Sequence, residues 1–384
     1  MKFFLSFLFS VLAVAFTFGQ GNPNVADLDF MYKEVVKLPS YKDQFNKRQK
    51  VEFKKRFEAL KVNADSNSDY QIFMKLYSLI QPIRDSHLGL RSNPDSILNE
   101  RLKIEKLNPD SLFKAAVNKP INSVEGIYFI QNFQCIIYKD GDYYKGVSIF
   151  DGVIYLQFML YELTPNHFDY IGLNNKVLSL TRNVVYSNQY LVGVHFRKTN
   201  QKDFINIDAK AEKFQFKHID SKTSYLRLGS FASTNVNISI IKKFYTNVKD
   251  SLNKDNLIVD LRNNGGGGFK ASGEFLRLIK RYKGNVHLIV NCNTISNAEQ
   301  FVIRLFKKEN ITIYGENTRG YIAYGNNSGT EPKLPSKKFL FYISDMGASK
   351  KDFELEYIGI KPGILLDPFS KDWVEQVMDM INGK

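Results

Sequence analysis

Apolar and polar residues alternate with three different rhythms along this chain. DLDFMYKEVVKL (27–38), VEFKKRFEALKV (51–62) and YQIFMKLYSLIQPI (70–83) repeat apolar residues at helical spacing with charges between them. Residues 24–84 are therefore expected to be helical, with a polar break at Asn63–Asp69, and to end at Asp85-Ser86-His87. Residues 120–220 are β-prone. QCIIYKDGDYYKGVSI places Asp140-Gly141 between two strand-like runs, a hairpin signal, and VIYLQFML, NKVLSL and YLVGVHFR continue the pattern. From Ser224 the rhythm alternates. The apolar runs SYLRL, LIVDL and VHLIVN are each followed by a helical pattern, ITIY and FLFYI read as further strands, and KDWVEQVMDMI closes the chain as a helix. Continuous apolar strands separated by helices predict an α/β core with buried strands.

The first residues carry a separate signal. Met1-Lys2 precedes the apolar run FFLSFLFSVLAVAF and the small or polar TFGQGN, the pattern of a secretory signal peptide with cleavage near Gly19 or Gln20. The run is shorter than the roughly 20 residues a spanning helix needs, and no later segment is apolar enough to span. An exported protein, periplasmic or secreted, is expected. The division that follows is a signal peptide at 1–19, a helical N-terminal cap at 20–92, a β-rich middle at 93–220 and an α/β core at 221–384.

Composition narrows the partners. A hydrophobic content of 43% with 31 Phe and 21 Tyr supports packed cores. Cys135 and Cys292 lie far apart in apolar stretches and are expected to be buried thiols rather than a disulfide framework. The net charge of +14 is spread over the whole chain without interleaved aromatics, which argues for a solvated surface and against nucleic-acid binding. The five histidines, His87, His167, His195, His218 and His287, are not at metal-ligand spacing. Neither a metal nor a cofactor is expected.

Four segments could carry chemistry. In VHLIVNCNTISNAEQF, Ser296 lies where a buried strand turns into a helix, beside free backbone N–H groups that can stabilise developing negative charge. Read alone, Ser296-Asn297-Ala298-Glu299 is better taken as a capping box. LIVDLRNNGGGGF sets four glycines after a strand, so its backbone can approach another group and point N–H groups at it. It is not a P-loop, because Gly268-Phe269-Lys270-Ala271 lacks the Gly-Lys-Ser/Thr order, and it lacks the acidic residue of a dinucleotide fingerprint. Asp85-Ser86-His87 and Glu356 complete the set, and each would pass for structural in isolation.

Their order carries more than any one of them. DSH at 85–87, DLRNNGG at 260–266, TISNAE at 294–299, GENTRG at 315–320 and EYIGIKP at 356–362 together resemble the tail-specific (C-terminal-processing) protease family, which includes the tricorn core peptidase and the retinoid-binding repeats. The resemblance implies a Clp/crotonase-type α/β core, a serine peptidase and a peptide or protein substrate. Ser296 matches the nucleophile. One branch of the family uses a Lys just after the G-E-x-T-x-G turn, where this chain has Tyr321. The tricorn branch uses Ser, His, Ser and Glu, matched by Ser296, His87, Ser86 and Glu356. By this resemblance His87 is the general base, Glu356 and Ser86 orient it, and Gly265, Gly266 and Asn297 supply oxyanion N–H groups. The chain departs from the family in lacking a recognisable PDZ carboxylate loop and in reading Pro362-Gly363 for the usual Pro-Asp. Two other readings use the same residues: a non-catalytic binding protein on this fold, and an esterase or amidase.

Overall fold

The computed structural model describes residues 22–95, 102–174, 177–199, 201–306 and 308–383, so the expected signal peptide lies outside the described residues. Helices α1 (Pro23–Val35), α2 (Pro39–Gln44), α3 (Lys47–Lys61) and α4 (Asp69–Ile80) come first, then strand β1 (Gly89–Ser92). α3 and α4 each start with a reciprocal capping box, Asn46 with Gln49 and Ser68 with Gln71, which satisfies N–H groups that helix geometry leaves free. The apolar stripes of α1, α3 and α4, including Leu28, Phe57, Phe73 and Leu76, form one cluster with strand residues such as Ile136, Val147 and Ile171.

After α5 (Pro109–Val117) the chain runs through β2 (Gly126–Ile130), β3 (Phe133–Asp140), β4 (Tyr143–Phe150), β5 (Val153–Thr164), β6 (His167–Asn174), β7 (Val177–Ser187), β8 (Tyr190–Val192) and β9 (Phe196–Arg197). Asp140 pairs with Tyr143, so the foreseen hairpin turns on Gly141-Asp142, one residue later than the Asp-Gly signal indicated. β2 to β9 are joined in a closed ring, because β9 bridges β2 to β8 and β8 pairs back to β7. Strand alternation divides the side chains: Cys135 and Ile137 enter a cluster with Phe158, Leu160 and Phe168, while Ile136 between them joins the helical cluster.

The second sheet contains β10 (Phe214–His218), β11 (Thr223–Leu228), β12 (Asn256–Asp260), β13 (Asn285–Val290), β14 (Ile311–Gly315) and β16 (Ile364–Leu365). All neighbours pair in parallel except β10 at one edge. Helices α6 (Asn235–Val248), α7 (Phe269–Arg281) and α8 (Asn297–Leu305) cover one face, where Leu257 and Val259 point. α9 (Lys350–Leu355) precedes α10 (Trp373–Ile381), which covers the other face through Trp373 and Val377 against Ile258 and Ile289. A parallel sheet with both faces covered explains why its strands read as continuous apolar runs. The whole is a mixed α/β protein.

The strand-like FLFYI departs from its expected place. It forms β15 (Phe339–Tyr342), which leaves the core region and pairs antiparallel with β1 at the margin of the ten-stranded sheet. β10, assigned by sequence to the middle region, instead adds to the parallel sheet through β11. Hydrophobic pattern identifies a strand but not its partner. Cys135 and Cys292 are both buried and free, as expected. Among the described residues no helix is long and apolar enough to cross a membrane, and no cluster suits a metal ion.

Candidate active site

The ends of β12 and β13 supply two of the four chemical segments, at the carboxyl edge where open parallel sheets place their sites. After β13, Thr294 Oγ1 donates to Leu261 O at 2.8 Å and Ile295 N–H donates to Asn264 O at 3.0 Å, which draws the turn against the glycine loop. Ser296 follows with φ 58° and ψ −124°, a left-side conformation that costs a non-glycine residue of order 1–3 kcal/mol and lifts its side chain off the turn. The expected capping pair is present: Glu299 Oε2 accepts Ser296 N–H at 2.9 Å. Ser296 Oγ has a further partner, His87 Nε2, at 3.1 Å.

His87 reaches the serine from a turn 209 residues earlier in the chain. That turn is fixed by Arg182 on β7, which is fully buried and donates to the carbonyls of Ile80, Gln81, Ile83 and Asp85. The same guanidinium pairs with buried Asp169 at 3.0 Å. Arg182 thus satisfies the free carbonyls at the end of α4 and holds the segment leading to His87. Asp85 adds a local clamp: Oδ1 accepts the backbone N–H of His87 at 3.0 Å, and Oδ2 accepts from Ser344 Oγ.

Glu356 is brought in by two turns packed backbone to backbone. A Cβ on Gly320 would lie 2.7 Å from Gly359 N, and one on Gly359 would lie 2.0 Å from Thr318 O, so this approach requires both glycines of the GENTRG and EYIG segments. The Glu356 carboxylate is buried and accepts three backbone N–H groups: Ser86 at 2.7 Å, Ile322 at 2.9 Å and Ala323 at 2.8 Å. Burial and the nearby Asp85 push its carboxyl up to about 7 despite these bonds. Burial pushes His87 below its ordinary value, and Asp85 opposes that shift.

Two sequence-based roles differ in detail from this geometry. Glu356 and Ser86 were expected to orient the His87 ring, but His87 Nδ1 is buried without a hydrogen-bond partner among the described residues. Both Glu356 oxygens are taken by main-chain donors, and Ser86 Oγ donates to Gly320 O at 3.2 Å. Glu356 therefore touches the turn that carries His87, not its imidazole. Gly266 was expected to offer a free N–H, but that group donates to Asn264 Oδ1 at 2.9 Å. Gly266 instead provides clearance: at φ 79°, an added Cβ would lie 2.8 Å from both Ser296 Cβ and Asn297 N. Among the described residues the N–H groups of Gly265 and Asn297 donate to no acceptor.

Several residues around the site escaped sequence reading. Asn264 ties the glycine loop to Leu228 O at 2.8 Å, and Asp85 and Arg182 hold the His87 turn. Glu299 accepts Thr318 Oγ1, Gly320 N–H and Tyr321 N–H besides Ser296 N–H. Tyr321 sets its ring against His87 with centroids 5.4 Å apart. Asp85, Asn264, Glu299 and Thr318 lay inside quoted motifs, whereas Arg182 and Tyr321 did not. The spacing of buried polar residues alone names none of their partners.

No protein-family model and no curated protein matches this chain. Several solved structures resemble it at low identity and low TM-score. The photosystem II D1 C-terminal processing protease is 14% identical, with 90% of this chain and 93% of that one covered and a TM-score of 0.39. The tricorn protease is 13% identical over 94% of this chain and 36% of its own, with a TM-score of 0.44. Mature CPAF is 11% identical over 94% and 98%, with a TM-score of 0.43. At such identities and scores no residue role transfers from these proteins, and function rests on the side chains themselves.

Proposed function

We propose that this chain is an exported serine endopeptidase with Ser296 as nucleophile and His87 as general base. The observation that carries the reading is the 3.1 Å contact between Ser296 Oγ and His87 Nε2, at a serine held in a strained backbone conformation. Two groups 209 residues apart meet at the distance and in the pairing that nucleophile activation needs. A serine that served only as a helix cap would need neither the strain nor the histidine.

In the proposed reaction Ser296 Oγ attacks the peptide carbonyl carbon and His87 Nε2 takes its proton. The N–H groups of Gly265 and Asn297 receive the oxyanion, since neither has an acceptor among the described residues. His87 then gives the proton to the leaving amine, and water attacks the acyl-serine by the same route in reverse. Asp85 favours the imidazolium electrostatically, and Glu356 and Ser86 keep the His87 turn in place. Export rests on the apolar start of the chain.

The test is labelling with a fluorophosphonate probe, paired with hydrolysis of a mixed peptide library. Covalent labelling of Ser296, lost in Ser296→Ala and His87→Ala, is the expected result. A folded wild-type protein that neither labels nor cleaves any peptide would mean a binding protein on this fold. Labelling with turnover of simple esters but of no peptide would mean an esterase.

A further inference from the structure

Among the described residues the ring of His87 has one hydrogen-bonding contact, Nε2 to Ser296 Oγ, and its Nδ1 has no partner. A single contact at one corner leaves an imidazole free to turn about χ2, a torsion with broad wells. A general base must nevertheless present one nitrogen to within a fraction of an ångström. Something other than a carboxylate must therefore hold the ring.

Tyr321 is the side chain in position to do so. Its ring lies against His87 at a centroid distance of 5.4 Å and an interplanar angle of 74°, the edge-to-face arrangement that aromatic pairs favour. Tyr321 is itself immobilised at three points. Its hydroxyl donates to Arg182 O on β7, its N–H donates to Glu299 Oε2 at 2.9 Å, and the Arg319 guanidinium lies 4.8 Å from its ring centroid. Two of these anchors belong to parts already tied to the site. Glu299 Oε2 also receives the N–H of Ser296, and Arg182 holds the carbonyls of the His87 turn.

We infer that Tyr321 is the positioning residue for His87, fixing the imidazole by edge-to-face packing where a carboxylate would otherwise hold Nδ1. The inference rests on the reading of Ser296 and His87 as nucleophile and base. Glu299 then acts as a shared reference point for the nucleophile and the residue that aims the base. Tyr321 acts through His87 and does not contact the reacting atoms.

The test compares wild type with Tyr321→Phe, Tyr321→Leu and Tyr321→Met in fluorophosphonate inactivation rate, kcat and KM on one cleaved peptide, and the pH dependence of kcat/KM, with folding checked by thermal melts. Tyr321→Phe keeps the ring and should stay within about threefold of wild type. Tyr321→Leu and Tyr321→Met should lose about ten- to a hundredfold in kcat and inactivation rate, the scale of an ångström-sized misplacement, with KM unchanged. The lower of the two inflections in their acid limb, that of His87, should move up towards the ordinary histidine value as the ring becomes hydrated. Folded Leu or Met variants with wild-type rates and pH profile would overturn the inference, as would a Phe variant as impaired as Leu. A further measurement does not depend on the Leu and Met variants folding: selectively labelled His87 in Ser296→Ala should show ring-current displacement of its ring protons, and its absence would also overturn the inference. If wild type labels with no probe and cleaves no peptide, the peptidase reading fails, while the His87 signal still reports whether Tyr321 packs on the ring.

Discussion

Glu356 grips the main chain of Ser86 at 2.7 Å and leaves the His87 ring untouched, although Ser86 and His87 are neighbours in sequence. The carboxylate joins the His87 turn to the N–H groups of Ile322 and Ala323, so it fastens two loops rather than completing a side-chain relay.

That arrangement predicts what Glu356→Gln does. The amide keeps one acceptor oxygen but turns an NH2 towards a backbone donor, which should loosen the turn. Expected is a fall in kcat of about ten- to a hundredfold, smaller than for His87→Ala. The wild-type acid limb should contain an inflection near 7 from the Glu356 carboxyl, whose ionised form binds the three N–H groups more strongly. A kcat/KM profile of Glu356→Gln that kept this inflection would show that another group titrates there.

His87 predicts a second, lower inflection. Its ordinary value of about 6.5 is lowered by burial, so the neutral base survives to more acidic pH than an exposed histidine would allow. In Glu356→Gln, activity should fall only below about 6.5. A midpoint at or above that value would indicate a carboxylate acting directly on the ring.

The strain at Ser296 predicts an order of stabilities. Glycine adopts φ 58° without penalty and serves nearly as well as serine at a helix start, whereas alanine keeps the strain and loses the hydroxyl. Ser296→Gly should therefore be more stable than Ser296→Ala by about 1–2 kcal/mol in denaturant unfolding, with both inactive. Equal stabilities would argue that the serine backbone is unstrained.

Gly266→Ala tests the clearance beside the nucleophile. Its added methyl would meet Ile295 O at 2.7 Å and Ser296 Cβ at 2.8 Å at a φ that alanine disfavours. Loss of activity by about a hundredfold is expected, together with about 1–3 kcal/mol of stability. Gly265→Ala has open space around it and should disturb stability far less. A Gly266→Ala enzyme with wild-type kcat would mean that the loop sits farther from Ser296.

The sequence alone determined the local periods. Helices between Pro23 and Ile80, the hairpin near Gly141 and the apolar strands β11, β12 and β13 follow from side-chain spacing that any folded state of these segments must respect. It also singled out Ser296, His87, Ser86 and Glu356 through the order of five short motifs. Tertiary structure decided what depends on partners. Whether FLFYI joins β1 or the parallel sheet cannot be read from its apolarity, which marks a strand and not its partner. Whether Gly266 offers an N–H or clearance depends on Asn264 having claimed that N–H. Whether Glu356 meets a ring nitrogen or a main-chain N–H depends on how closely two glycine turns approach. Periodicity is a property of adjacent residues, whereas a hydrogen bond across 209 or 270 positions is set only when the packed elements fix both ends.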